Sequence, residues 1–243
     1  MKALDLNSAV YVLDDGVLLS GNVFQFESIE HVATACLHVI QSILQSRHPD
    51  RINSTDDRSY VFNLGGWSYG GVVAAAVSKL IRNSPQCSKW EVSKLFLFDS
   101  PLRVSCVSTH VTPDDHFSMS IDDKIISLDT VTIVDGDDET KIVTNIFRNS
   151  NEDDLTIQTN KHFNACTDLL KKYHLRPAEQ KPLICAIYDL RPIDSAYECP
   201  IDAVEELTVG KVTRRVVTGN HWTMLFNEHA PIIAQILTSF LNE

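Results

Sequence analysis

Features that would direct the chain to a membrane or to nucleic acid are scarce. No apolar run in the 243 residues approaches the roughly 18 needed to cross a bilayer. The first residues carry acids where a signal peptide has an apolar stretch. Basic residues number 21 against 32 acidic ones, a formal net charge of −11. Nucleic acids and anionic membranes are bound by clusters of Lys and Arg. The sequence therefore predicts a cytoplasmic protein with neither as its partner.

The six cysteines include no CxxC pair, so that local signature of a redox or metal motif is missing. Because no secretion signal is found, reduced and mostly buried thiols are expected, and no metal ligand is predicted. The composition, 44% hydrophobic and 22% charged, is that of an ordinary globular protein.

Short apolar strands alternate with amphipathic helices. The patterns predict strands at 9–14, 60–64, 94–101, 182–190 and 211–219, and helices at 28–46, 69–83, 160–175 and 230–242. Ser28 is the expected N-cap of the first helix. Continuous apolar runs suit parallel strands that are covered on both faces, and the alternation predicts an α/β protein with a parallel sheet. The pattern weakens from about 102 to 160. We expect one α/β domain over 1–243, with an inserted lid at about 102–180.

Glycine is also scarce, nine in all, yet four glycines surround Ser68 in LGGWSYGGVVA: Gly65, Gly66, Gly70 and Gly71. A G-x-S-x-G sequence between a strand and a helix is typical of a nucleophile elbow, which predicts Ser68 as a nucleophile. The amide of Tyr69, at the start of the helix, would be one oxyanion donor. The alternative is a tight turn in which Ser68 only caps the helix.

A serine hydroxyl becomes a good nucleophile when a base takes its proton. His221, in VVTGNHWTML after the last predicted strand, returns to the sheet edge of Ser68 and is the predicted base. The alternative is a loop histidine that caps the next helix. Asp99 and Asp189 each end a predicted strand, and each gives the order Ser, Asp, His. Spacing alone leaves the choice of acid open.

Three stretches together resemble the thioesterase domains that end polyketide synthases, nonribosomal peptide synthetases and animal fatty acid synthase. LGGWSYGGVVA resembles the elbow of this family, LFLFDSP its aspartate strand, and GNHWTMLFNEHAPIIAQIL its histidine loop and last helix. The resemblance covers about residues 9–243 and is vague over 102–160. It implies an α/β-hydrolase fold, a mostly parallel sheet with helices on both faces and an inserted lid. It also favours Asp99 over Asp189 as the triad acid.

The resemblance implies release of an acyl, polyketide or peptidyl chain from the phosphopantetheine of an acyl or peptidyl carrier protein, with no bound cofactor. Ser68 would attack the thioester, with His221 as base and Asp99 holding its tautomer. Trp67 would either line the acyl channel or pack on the sheet edge. Two alternatives are a stand-alone serine esterase or acyl-CoA hydrolase, and an impaired thioesterase-like module that binds a carrier protein.

The sequence departs from the family pattern at two places. The first strands of the fold, and the loop that supplies a second oxyanion amide, are not found ahead of AVYVLD, so we expect them to be missing from this chain. Asn220 stands beside His221, where the family usually has Asp. This change keeps hydrogen bonding and removes a charge.

Overall fold

The computed structural model describes residues 10–13, 26–47, 60–102, 131–135, 138–142, 152–173, 181–195, 199, 201–226 and 228–243. The helices are α1 (Ile29–Arg47), α2 (Tyr69–Asn83), α3 (Glu152–Lys172), α4 (Ile201–Glu205) and α5 (His229–Leu241). The strands are β1 (Tyr60–Trp67), β2 (Trp90–Phe98), β3 (Val131–Asp135), β4 (Asp138–Ile142), β5 (Ala186–Asp194) and β6 (Val212–Asn220). No helix in this part of the chain is both long and apolar enough to span a bilayer.

The chain divides into two compact units. The larger unit comprises Phe26–Ser108 and Cys166–Met224, and the smaller one Met1–Gln25, Thr109–Ala165 and Leu225–Glu243. The larger unit holds α1, α2, α4 and a four-stranded sheet, while the smaller holds the antiparallel hairpin β3–β4 and α5. The lid at about 102–180 stays a prediction, as does the single domain.

The sheet of the larger unit is parallel throughout and has the order β1-β2-β5-β6. Helix α2 packs against β1 and β2, and α1 packs against α2. The apolar runs of β2 and β5 are fully buried at Leu95, Leu97, Ile187 and Leu190. The prediction of a buried parallel sheet is therefore confirmed, because continuous apolar strands fit a sheet that is covered by other elements.

The two helices that precede and follow β1 begin where the sequence predicts. The Ser28 hydroxyl accepts a hydrogen bond from the backbone N–H of His31 at 3.1 Å, so Ser28 is the N-cap of α1. Helix α2 covers the predicted range 69–83, with its Ala and Val side chains buried. It ends where the Ser84 N–H bonds to Leu80 O, just before Pro85.

Several boundaries differ from the predictions. Residues 10–13 belong to no strand, so the strand predicted at 9–14 is wrong there, and its two end residues lie outside the described ranges. Strand β5 begins at Ala186, because the Thr208 hydroxyl bonds the carbonyls of Leu183 and Cys185 just ahead of it. Helix α3 begins at Glu152, earlier than predicted, since acidic residues are favourable near a helix N-terminus. The hairpin β3–β4 and α4 were not predicted.

Candidate active site

Ser68 lies on a sharp turn between β1 and α2. Its backbone has φ 53° and ψ −124°, a conformation that few residues other than glycine adopt. Two hydrogen bonds hold the turn: the Ser68 N–H donates to Phe98 O at 2.8 Å, and the Gly71 N–H donates to Ser68 O at 3.1 Å. The Ser68 side chain makes no capping hydrogen bond to α2. The turn therefore has the strained form of a nucleophile elbow, and the helix-cap alternative is not supported.

Two of the four glycines around Ser68 are required by close packing. A Cβ on Gly66 would lie 2.1 Å from Gly70 O, and one on Gly71 would lie 1.9 Å from the Ser100 hydroxyl. At Gly65 a Cβ would be 3.2 Å from Phe96 Cβ, which is tight, whereas at Gly70 it would meet nothing within 4 Å. The elbow therefore depends on Gly66 and Gly71, and not on the last glycine of the motif.

Asp99 and His221 meet at the carboxyl ends of the parallel strands. Asp99 follows β2, and its N–H bonds to Leu190 O at 2.9 Å. His221 follows β6, and its Nδ1 lies 2.8 Å from Asp99 Oδ2. The two residues are 0% and 3% exposed. The structure thus brings together two of the predicted site residues that are far apart in the sequence.

Asp189, the other candidate acid, has different partners. Its Oδ1 accepts a hydrogen bond from Arg191 Nε at 2.9 Å, and its Oδ2 accepts one from Arg214 Nε at 2.7 Å. Asp189 is as buried as Asp99, but it faces two guanidinium groups rather than the imidazole. The geometry favours Asp99 as the partner of His221.

The surroundings of Asp99 stabilise its ionised form. Burial alone would raise the pKa of the Asp99 carboxyl, but this effect is outweighed. Hydrogen bonds from His221 and Ser195, together with the charges of His221 and Arg191, hold that pKa below its ordinary value. Asp99 is therefore a carboxylate at neutral pH and can accept a hydrogen bond from the imidazole N–H.

Two tryptophans hold the His221 ring next to the elbow. Trp67, the neighbour of Ser68, stacks on the imidazole with ring centroids 5.0 Å apart, and its indole N–H donates to His221 O at 2.9 Å. Trp222 meets the imidazole edge-on at 4.9 Å. Because Trp67 is bonded to the histidine loop and adjoins Ser68, it places that loop beside the elbow. Its predicted contact with the acyl chain stays a prediction.

Asn220 shapes the same loop. Its side-chain oxygen accepts hydrogen bonds from the N–H groups of Trp222 at 2.9 Å and Thr223 at 3.0 Å. This is an Asx turn, in which either Asn or Asp supplies the acceptor oxygen. The replacement of the family's usual Asp therefore leaves the turn intact.

The sequence analysis missed Arg191 and Ser195, which both contact Asp99 Oδ1. One signal was present for Arg191. An arginine inside an apolar strand has to be paired when it is buried, and two strand-end aspartates were already candidates. Ser195 lies beyond the end of β5, in a stretch with no motif, so nothing in the sequence marked it.

Solved structures share this fold at low sequence identity. The RedJ thioesterase of the prodiginine pathway in Streptomyces coelicolor is 18% identical, with a TM-score of 0.51 over 88% of this chain and 71% of that one. The type II thioesterase BorB of the borrelidin cluster is 18% identical, with a TM-score of 0.53 over 89% and 74%. The NocB thioesterase domain, in covalent complex with a fluorophosphonate nocardicin G analogue, is 17% identical, with a TM-score of 0.56 over 96% and 82%.

At these identities the likeness shows the fold, which is the α/β-hydrolase fold expected from the sequence. No curated protein matches the chain in sequence. The thioesterase domain family model, in contrast, matches residues 30–241 and so spans the elbow, both aspartates and the histidine loop. The chain therefore belongs to the thioesterase domain family and is a hydrolase that acts on thioesters.

Proposed function

We propose that this thioesterase releases an acyl, polyketide or peptidyl chain from the phosphopantetheine thiol of a carrier protein, with Ser68, His221 and Asp99 as its catalytic triad. The observation that carries the proposal is the buried contact of 2.8 Å between His221 Nδ1 and Asp99 Oδ2. Ser68, with its positive φ, is linked to this pair through its neighbour Trp67, which stacks on the imidazole. A carboxylate at Nδ1 leaves the other ring nitrogen unprotonated, as a base requires.

The reaction follows from these positions. Ser68 Oγ attacks the thioester carbonyl while His221 Nε2 takes the hydroxyl proton, and Asp99 stabilises the imidazolium. The Tyr69 amide, at the N-terminus of α2, donates to the developing oxyanion. The C–S bond breaks, and the thiol leaves with the proton from His221. Water then attacks the Ser68 ester while His221 takes a proton from it. The bond between the acyl carbon and Ser68 Oγ breaks, His221 returns the proton to Oγ, and the carboxylic acid is released. The chemistry requires no cofactor of the protein's own.

The carrier protein as partner is supported by the family and by the neighbours. RedJ and BorB are thioesterases of the prodiginine and borrelidin pathways. Another neighbour, 15% identical over 88% of this chain, is a holo four-domain nonribosomal peptide synthetase. A thioester on a long phosphopantetheine arm would reach a site at the carboxyl edge of the sheet, where the elbow projects.

Covalent labelling tests the triad. NocB forms a covalent complex with a fluorophosphonate, so a fluorophosphonate is a suitable probe. We expect one label on Ser68, which is abolished in Ser68→Ala and His221→Ala and retained in the control Ser84→Ala. Asp99→Asn should slow labelling by roughly 1000-fold, because it disturbs the tautomer, whereas Asp189→Asn should slow it far less. Unchanged labelling in both Ser68→Ala and His221→Ala rejects the triad.

Substrate comparison tests the partner. The same acyl group is presented on a phosphopantetheinylated carrier protein, on coenzyme A and as a nitrophenyl ester, and kcat/KM is measured for each. Preference for the carrier-bound thioester supports the proposal. Equal rates with all three indicate a stand-alone esterase. Binding of the carrier without turnover, in a protein that fluorophosphonate does not label, indicates a module that binds without catalysis.

A further inference from the structure

A buried group of four charges adjoins the proposed catalytic pair: Asp99, Asp189, Arg191 and Arg214. Arg191 is its centre, with a side chain that is 7% exposed. All three nitrogens of its guanidinium are bonded. Nε donates to Asp189 Oδ1 at 2.9 Å, Nη1 to Asp99 Oδ1 at 3.2 Å, and Nη2 to Ser100 O at 2.6 Å. A planar group fixed at three points is a rigid support.

Arg191 acts on the oxygen of Asp99 that faces away from the imidazole. Oδ1 accepts hydrogen bonds from Arg191 and from the Ser195 hydroxyl, while Oδ2 faces His221 Nδ1. With Oδ1 held on two sides, rotation of the carboxylate would break both bonds. The two hydrogen bonds to Oδ1 therefore fix the orientation of Oδ2 toward His221 Nδ1.

We propose that Arg191 is a positioning residue of the thioesterase reaction, which orients the Asp99 carboxylate toward His221. The proposal rests on the proposed triad of Ser68, His221 and Asp99. Arg191 touches neither the reacting serine nor the substrate, so it acts through Asp99.

The charges of the cluster balance, since it contains two carboxylates and two guanidinium groups. A variant that loses one acidic and one basic residue therefore leaves the net charge of the cluster unchanged, and its effect reports the lost contacts.

Two double variants separate this role from a merely structural one. Asp189→Asn/Arg191→Met and Asp189→Asn/Arg214→Met each remove one negative and one positive charge from the cluster. The first removes the contact with Asp99 and the second retains it. The rate of fluorophosphonate labelling at Ser68 is measured over a range of probe concentrations for both variants and for the wild-type protein, with folding checked by circular dichroism.

We expect the plateau rate at saturating probe to be about tenfold lower in Asp189→Asn/Arg191→Met, with the probe concentration that gives the half-maximal rate unchanged, because the bound probe meets a less well oriented base. In Asp189→Asn/Arg214→Met the plateau should stay within about twofold of the wild-type value. Equal plateaus in the two double variants overturn the role of Arg191 while leaving the triad standing. A wild-type protein that is never labelled at Ser68 overturns the triad and the role of Arg191 together.

If Asp189→Asn/Arg191→Met does not fold, single variants that keep the charge replace it in the test. Arg191→Lys keeps a positive charge but cannot make three directed bonds, so we expect a lower labelling plateau. Arg214→Lys is the matched control and should label at the wild-type rate. Equal plateaus in these two variants overturn the proposal.

Discussion

Backbone strain in the described part of the chain is found at two residues of the candidate site. Ser68 and Asp99 are the two non-glycine residues there with positive φ, 53° and 45°. Such conformations cost of order 1–3 kcal/mol each and persist where the surrounding structure enforces them. Here the Ser68 N–H is bonded to Phe98 O and the Asp99 N–H to Leu190 O, so each strained residue is tied to the next strand of the sheet. The sheet therefore holds the proposed nucleophile and the proposed acid in place.

The glycines of the elbow provide a test of single side-chain packing. Gly71→Ala should lower the free energy of unfolding by about 1–3 kcal/mol, because the new methyl group overlaps the buried Ser100 side chain. Gly70→Ala should leave stability unchanged or raise it by up to about 1 kcal/mol, because its Cβ enters open space in a helix. Urea unfolding measures both variants. Equal midpoints would contradict the packing seen around Gly71.

The candidate residues could be predicted from the sequence to different degrees. Ser68 and His221 could be predicted, because an elbow motif and a histidine at the end of a strand are both recognisable in the local sequence. The choice between Asp99 and Asp189 could not be made, because each ends a predicted strand and both are fully buried. In the structure Asp99 follows β2, whereas Asp189 lies inside β5. The choice depends on which carboxylate contacts the imidazole and which one is bonded by both Arg191 and Arg214. The tertiary structure sets these contacts.

Elements with a continuous apolar pattern were predicted to exist, but strand ends were placed less well: β2 runs over Trp90–Phe98 rather than 94–101. Helix α2 was predicted to the residue, because its Ala and Val run is bounded by an elbow and a proline. The start of β5 was misplaced, because the chain ahead of it pairs through an isolated bridge between Leu183 and Thr208, and the Thr208 hydroxyl also bonds two carbonyls there. The short helix α4 and the hairpin β3–β4 carry too few apolar residues to give a periodic signal.

The loop after β6 is the element that places the proposed base. Asn220→Asp should retain at least half of the wild-type labelling rate, because the carboxylate keeps the acceptor oxygen of the Asx turn. Asn220→Ala removes three hydrogen bonds, from the N–H groups of Trp222 and Thr223 and from the Thr223 hydroxyl. It should cost about 1–2 kcal/mol of unfolding free energy and slow labelling about tenfold. Labelling kinetics and urea unfolding measure the two variants. An alanine variant as active as the aspartate variant would contradict the role of the turn.

At the scale of the whole molecule, the buried Asp99 carboxylate makes stability depend on pH. The folded state holds the pKa of Asp99 below its ordinary value, so Asp99 contributes stability above about pH 4, its range when unfolded. That contribution is lost as the pH falls through the folded-state pKa. Arg191 would then keep its ion pair with Asp189 but lose the one with Asp99.

Urea unfolding between pH 2 and 7 checks this dependence. The unfolding free energy of the wild-type protein should fall below about pH 4, and that of Asp99→Asn should fall less steeply. Asp168→Asn is the control, because Asp168 is exposed and pairs only loosely with Lys171, at 3.8 Å. If the control and Asp99→Asn show the same slope, Asp99 is not a source of the acid sensitivity.

The spatial order of the parallel sheet, β1-β2-β5-β6, is also the order of these strands along the chain. During translation each of them can dock on a neighbour that has already left the ribosome, with no strand threaded between two others. The elbow would emerge first, the aspartate next and the histidine last, 122 positions after the aspartate. A nascent polypeptide that ends before β6 has the proposed nucleophile and the proposed acid but lacks the proposed base. In the mechanism proposed above, synthesis thus delays the chemistry until the last strand of this sheet has been made.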